Sequence, residues 1–97
     1  MGNKKAGIRL ENKLKSDLEK LGKIVLHVKG SMGFCDLVSI DVNGEVEFIS
    51  IKRALKKIYI NSRFRNARDD IPDNLKVPVT IMIYSQEERK WHYKLSF

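Results

Sequence analysis

The sequence predicts an α/β domain with the element order αβββαββ around a central mixed sheet. Near the N-terminus, leucines recur at helical spacing, at Leu10, Leu14, Leu18 and Leu21. Later segments are short, rich in β-branched and aromatic residues, and separated by turn residues, as strands are. The chain has 97 residues. A single domain is therefore expected over residues 1–97, because a chain of this length builds one hydrophobic core.

The first helix is predicted over Ala6 to Leu21, with Gly22 as its C-terminal cap. Glu11 lies within about 20° of Leu18 in helical projection, so this carboxylate falls inside the apolar stripe. A buried carboxylate is costly unless it has a partner. Either a salt bridge with a neighbouring lysine or a functional cluster would supply one.

A β-hairpin is predicted over residues 36–52, after a first strand over residues 23–29 and a glycine-containing bend. Asn43-Gly44 is typical of a tight two-residue turn. Counting alternately, Val46, Phe48, Ser50 and Lys52 share one face of the second hairpin strand. Lys52 then continues a largely apolar row; it either reaches water at the strand end or pairs with the carboxylate of Asp36.

The second half predicts one short helix and two strands. Asn61 or Ser62 is expected to cap the helix, whose inner face carries Phe64, Ala67 and Ile71, and Pro72 ends it. Residues 77–84 predict a buried strand. After a turn over residues 86–89, a last strand over residues 90–97 alternates Trp91, Tyr93, Leu95 and Phe97. Trp91 and Tyr93 are expected in the core or an interface.

The charge distribution favours a polyanionic partner. The net charge is +7, and between residues 52 and 68 basic residues occur without any acidic one. We interpret this stretch as a phosphate-binding track, although a solvated basic face has the same composition. The residues expected to contact DNA are Lys29, Arg53, Lys56, Lys57, Arg63, Arg65 and Arg68.

Other features favour an intracellular protein with few alternative sites. Cys35 is the only cysteine, so an internal disulfide is impossible, and a cytoplasmic, reducing setting is expected. No apolar run is long enough to span a membrane. His27 and His92 have no other ligand at metal-binding spacing, so packing or a surface position is favoured over zinc binding.

The ordered set of a helical Glu, a Gly-Ser pair, an Asp and a strand ending in Lys resembles the PD-(D/E)XK nuclease superfamily. Within it, the chain is most similar to the archaeal-type Holliday junction resolvases. The similarity extends over about residues 7–60 and is looser in the closing strands. The residues that carry it are Gly7, Glu11, Gly22, Ser31, Asp36, Lys52 and the segment 57–60.

This resemblance implies a small restriction-endonuclease-like domain with a metal-dependent site. Glu11 and Asp36 would bind Mg²⁺, for which Mn²⁺ can substitute, together with the backbone carbonyl of Ile51. Lys52 would orient or activate the attacking water, and Ser31 would contact the phosphate. The implied function is a structure-selective DNA endonuclease acting on branched DNA such as a four-way junction, as a homodimer.

One position departs from the family pattern. Ser50 stands where the superfamily usually has Glu or Gln, two residues before the lysine. Two carboxylates would remain, and Ser50 would at most hold a metal-bound water. Because Mg²⁺ is often held by one or two carboxylates with water and phosphate, binding should weaken without vanishing. The alternative is a catalytically weakened nucleic-acid-binding protein that retains the fold; a basic RNA-binding domain without any site is a third interpretation.

Overall fold

The computed structural model describes residues 2–28 and 34–96, with side chains described from residue 9 onward. Two α-helices and five strands follow one another in the chain. They are α1 (Gly2–Lys20), β1 (Ile24–His27), β2 (Leu37–Ile40), β3 (Val46–Ala54), α2 (Ile60–Asp69), β4 (Val79–Ser85) and β5 (Lys90–Leu95). The observed order differs from the predicted one by a 3-10 helix at Lys57–Tyr59, which leads into α2.

The strands form one mixed sheet in the order β1-β2-β3-β4-β5. Neighbouring strands are antiparallel except β3 and β4, which run parallel and are joined through α2. A parallel pair needs such a crossover, because a tight turn can only reverse the chain. The α/β class and the central mixed sheet are thus confirmed.

Each helix covers a different part of the sheet. Helix α1 packs through Leu14 on a cluster that includes Val25, Leu37 and Ile49. This side of the sheet is called the α1 face below. Helix α2 packs on the opposite side, the α2 face, where its buried residues Ile60, Phe64 and Ala67 meet three residues of β3 and β4: Ala54, Ile81 and Ile83.

The predicted first helix is found, but it begins at Gly2 instead of Ala6 and its row of inward-facing leucines does not include Leu21. The helix ends at Lys20, and Gly22 has φ +88°, the left-handed conformation expected after a helix end. Leu14 is buried, but Leu21 is 73% exposed, so its predicted place in the stripe is wrong. The physical reason is that Leu21 lies beyond the last helical residue and follows the turn outward.

The hairpin turn is wider than the two-residue turn predicted from Asn43-Gly44. Ile40 pairs with Val46, and the backbone N–H of Asp41 donates to the carbonyl of Glu45, which leaves residues 42–44 as a three-residue loop. The Asp41 carboxylate accepts hydrogen bonds from the N–H groups of Asn43 and Glu45, both at 2.9 Å. Gly44 supplies the φ of +80° that this type of loop requires.

One expectation for the second half also needs correction. Neither Asn61 nor Ser62 caps α2; the N-cap is Tyr59, which makes no side-chain capping bond. The Ser62 hydroxyl donates a hydrogen bond to the carbonyl of Tyr59 at 2.9 Å.

In β5, Trp91 packs against the core cluster of the α1 face, as expected. Tyr93 and Leu95 are exposed, so an interface position for Tyr93 stays a prediction, and Phe97 lies outside the described residues. Among those residues, no helix has the length and apolar character needed to cross a membrane.

Candidate functional site

Two carboxylates lie near each other on the α1 face, where α1 approaches the start of β2. Glu11 is half-buried on α1, and Asp36 directly precedes β2. The negative charge of Asp36 acts on Glu11, and His27 at the end of β1 lies on the other side of that carboxylate. The distance between His27 Nδ1 and Glu11 Oε2 is 3.6 Å. Three separate elements therefore converge on Glu11.

The backbone of the sheet fixes Asp36. Regular antiparallel pairing beyond Leu37 and Ile49 would set Asp36 opposite Ser50, but its N–H donates instead to the Ile49 carbonyl at 2.8 Å. Its own carbonyl accepts from Val28 at 3.0 Å, and its carboxylate Oδ2 accepts from the N–H of Ile51 at 2.6 Å. The broken register turns the Asp36 carboxylate toward the β3 backbone and holds it there.

The electrostatics of this carboxylate pair favour a bound cation or proton. Burial raises the pKa of Glu11, the nearby charge of Asp36 raises it further, and the hydrogen-bonding and charge of His27 partly offset the rise. Ionisation of Glu11 beside Asp36 is therefore more costly in the absence of a cation. A divalent metal would relieve this repulsion.

Lys52 lies apart from these carboxylates. It shares its strand row with Ser50 and Ala54 and pairs with Ile83 of β4, so it belongs to the α2 face. Its ammonium lies 3.7 Å from the carboxylate of Asp70, directly after α2. The structure thus brings together Glu11 and Asp36 but not Lys52, and the predicted catalytic role of Lys52 remains a prediction.

Ser50 is also on the α2 face, where it is 2% exposed and pairs with Ile81. The hydroxyl is therefore not directed to the α1 face that carries Glu11. Glu47, one of the acids of this strand, lies on the α1 face but accepts a hydrogen bond from Thr80 Oγ1 at 2.7 Å. It takes part in a second polar cluster near Lys23, at the other end of the strand.

The donor set of the carboxylate pair fits Mg²⁺ at the lower limit of what that ion accepts. Glu11 and Asp36 offer two carboxylates, and the backbone carbonyl of Ile51 belongs to the residue whose N–H holds Asp36. Among the residues that the structure describes, no three His, Cys, Asp or Glu side chains group closely enough to form a metal site. Water and substrate phosphate would have to complete the coordination.

Two predicted site residues cannot be placed. Ser31, proposed to contact phosphate, and Lys29, proposed to contact DNA, both lie outside the described residues.

The predicted basic track is divided between the two faces of the sheet. Arg53 alternates with Lys52 and pairs with Tyr84 on the α1 face. The remaining cations of the track are exposed on and before α2, at Lys56, Lys57, Arg63, Arg65 and Arg68. Arg53 therefore lies on a different face of the sheet from these five residues.

Sequence reasoning missed His27, which it assigned to packing or the surface. The pattern held a usable signal, because His27 has the same strand parity as the buried Val25 and so lies on the α1 face. What the sequence lacked was the register of α1 on β1, which brings His27 to Glu11.

No protein-family model, curated protein or solved structure matches this chain. The nuclease resemblance therefore depends on the residues described above and stays a prediction.

Proposed function

We propose that this domain is a metal-dependent, structure-selective DNA endonuclease that hydrolyses phosphodiester bonds in branched DNA, with the restriction-endonuclease-like fold implied by its sequence. The observation that carries the proposal is the pair of carboxylates, Glu11 and Asp36, held together by three elements of the domain. The mixed five-stranded sheet supports it, since it agrees with the architecture expected for this fold.

In this proposal, the residues of the chain position a cation next to the scissile phosphate. Asp36 and Glu11 hold Mg²⁺ or Mn²⁺ with the carbonyl of Ile51, and His27 orients the Glu11 carboxylate. The bound metal would polarise the phosphate and lower the pKa of an attacking water. The hydrogen bond from Ile51 keeps Asp36 in place before substrate binds, which lowers the cost of organising the site.

A second candidate function is favoured by the position of Lys52 and Ser50. In a nuclease of this type, the lysine and the residue two before it would lie with the carboxylates, whereas here both belong to the α2 face. A protein that binds branched nucleic acid but cleaves it weakly or not at all accounts for this separation. Both functions use the exposed cations of α2 to contact phosphates.

The proposal includes a homodimer, and one surface that the described residues leave exposed supports it. Beyond the reach of α2, the α2 face of β1 to β3 carries a patch of apolar side chains, among which Ile24, Leu26 and Val46 are more than half exposed. Strand pairing aligns these residues with others to form one patch: Ile24, Leu26, Val38, Ile40, Val46 and Phe48. A patch of this kind on a small domain is typical of a protein interface.

The proposed setting is the reducing interior of the cell. Burial raises the pKa of the Cys35 thiol, and its sulfur donates a weak hydrogen bond to the Leu37 carbonyl at 3.1 Å. A buried thiol of this kind acts as a small apolar group and requires no disulfide partner.

A cleavage assay on labelled four-way junction and linear duplex DNA, with Mg²⁺ or Mn²⁺, tests the two functions. The endonuclease proposal requires junction cleavage that is lost in Asp36→Asn while junction binding is kept, because binding depends mostly on phosphate contacts elsewhere. Asp17→Asn, an exposed carboxylate on α1, is the matched control and should cleave normally. Tight junction binding without cleavage by the unmodified protein would support the second function. If the unmodified protein neither binds nor cleaves the junction, both functions are contradicted.

A further inference from the structure

A cavity of about 250 Å³ opens on the α1 face between α1 and the ends of β3 and β4. Its walls are Arg9, Leu10, Lys13, Arg53, Tyr84 and Gln86. Of the described residues that line it, three are cations and none is a carboxylate. The cavity lies on the side of α1 that faces β4, whereas Glu11 faces β1 from the same helix.

The cavity combines positive charge with an aromatic wall. Arg53 and Tyr84 are direct partners across the parallel strands β3 and β4. The ammonium of Lys13 lies over the Tyr84 ring, 5.9 Å from its centre. The rings of Tyr84 and Trp91 meet edge to face, with 5.2 Å between their centres. Tyr84 is therefore held from one side by Trp91, while cations surround the opening.

This composition matches a nucleotide more closely than a simple anion. Cations alone are sufficient to attract phosphate, but an aromatic face beside them also offers a surface for a base. Bases within a duplex are already stacked on one another and cannot use such a surface. The carboxyl ends of parallel strands are also a common place for ligand binding in α/β sheets.

We propose that this cavity binds one unpaired nucleotide of single-stranded nucleic acid, with its phosphate on Arg9, Lys13 and Arg53 and its base against Tyr84. The inference rests on the proposed nucleic-acid function but uses a different surface from the cations of α2. Glu11 faces β1 from the other side of α1, so the cavity is a site separate from the carboxylate pair. Branched DNA has unpaired or distorted nucleotides at its centre, and these would be selected over linear duplex.

The chain contains its own reporter for this cavity, because Trp91 is the only tryptophan and it contacts Tyr84. Titration with an oligothymidylate of about 12 nucleotides, which has no tryptophan-like fluorescence, should change the emission of Trp91. The same titration, followed by anisotropy of a labelled oligonucleotide, gives the affinity. The variants are Lys13→Gln, which removes a cation, and Tyr84→Leu, which removes the ring.

Tyr84→Leu should weaken oligothymidylate binding about five-fold or more, since stacking on one aromatic side chain contributes at least that much. Lys13→Gln should also weaken it, because it removes one phosphate contact. Lys20→Gln, which removes an exposed cation from the same helix, and Tyr84→Phe, which keeps the ring, should change it less than two-fold. All variants should keep their duplex affinity within two-fold, which also shows that they are folded. Thymidine monophosphate should compete better than inorganic phosphate.

Three results would contradict the proposal. Normal oligothymidylate binding by Lys13→Gln and Tyr84→Leu would contradict the cavity proposal. The proposed function would still stand if the double variant Arg63→Ala with Arg65→Ala reduces duplex binding. Equal competition by inorganic phosphate and thymidine monophosphate would mean a simple anion site without base contact. If the unmodified protein binds neither single-stranded nor duplex DNA, the proposed function fails as well.

Discussion

At the scale of single residues, Glu11 shows how a site can reduce stability. A carboxyl group with a raised pKa in the folded state favours folding only when it is protonated, so its contribution is present at low pH and lost as pH rises through the folded-state pKa. Above that pKa, the ionised Glu11 beside Asp36 therefore lowers the free energy of unfolding. Such a cost is typical of residues retained for function.

We expect Glu11→Gln to raise the melting temperature at pH 7 in the presence of a chelator. The rise should be a few degrees, because such a substitution is worth about 0.5 kcal/mol and 1 kcal/mol shifts a domain of this size by about 4–8 °C. The gain should shrink as the pH falls, because the raised pKa of Glu11 lets the wild-type carboxyl take up a proton earlier than an ordinary glutamate does. A variant that melts lower than the wild type at pH 7 would mean that the His27 contact outweighs the repulsion.

Ser50 gives a second prediction at this scale. Its side chain is buried against β4 on the α2 face, so Ser50→Glu would place a carboxylate in an apolar layer without a described partner. We expect a loss of about 2 kcal/mol or more, measured by urea denaturation, that Mg²⁺ does not restore. Recovery of stability with Mg²⁺, or faster junction cleavage, would instead place residue 50 at the metal site.

At the scale of elements, local pattern predicted most of the secondary structure. The leucine spacing of α1 and the alternation in β3 were sufficient to identify these elements and the parity of Lys52. What the pattern could not give is which sheet face each helix covers. For this reason the sequence correctly set Ser50 and Lys52 in one row yet did not show that this row faces α2 and not Glu11.

The exposed arginines of α2 lead to a prediction about duplex binding. Arg63 and Arg65 lie outside the buried stripe of Ile60, Phe64 and Ala67. If both contact phosphates, Arg63→Ala with Arg65→Ala should reduce the slope of log K against log salt by about 1.8 in magnitude, because each duplex phosphate contact contributes about 0.9. Lys20→Ala with Lys76→Ala removes the same charge elsewhere and should change the slope little. Equal slopes for the two double variants would mean that α2 does not lie along DNA.

At the scale of the whole molecule, the two faces of the sheet have different environments. The α1 face holds the carboxylate pair and the cationic cavity, whereas the α2 face holds a buried core over β3 and β4 and an open apolar patch over β1 to β3. A dimer built through that patch would leave both α1 faces open. Two sites could then act on one branched substrate.

We expect the protein to be a dimer in solution, measured by light scattering after gel filtration. Leu26→Lys should make it a monomer at micromolar concentration, because it inserts a charge into the apolar patch. Val42→Lys is the control: this residue is 85% exposed in the hairpin loop, outside the paired residues of the patch, and should leave the dimer intact. A wild-type monomer at high concentration would contradict the dimer proposal.

The measurement that tests the carboxylate pair most directly is titration of Mn²⁺, followed by its paramagnetic resonance signal, into the unmodified protein and three variants. We expect the unmodified protein and Asp17→Asn to bind one Mn²⁺ per chain with the same affinity. Glu11→Gln and Asp36→Asn should each lose at least ten-fold in affinity, since each removes one of two charged ligands. No Mn²⁺ binding by the unmodified protein, or equal binding by all four proteins, would show that Glu11 and Asp36 do not form a metal site.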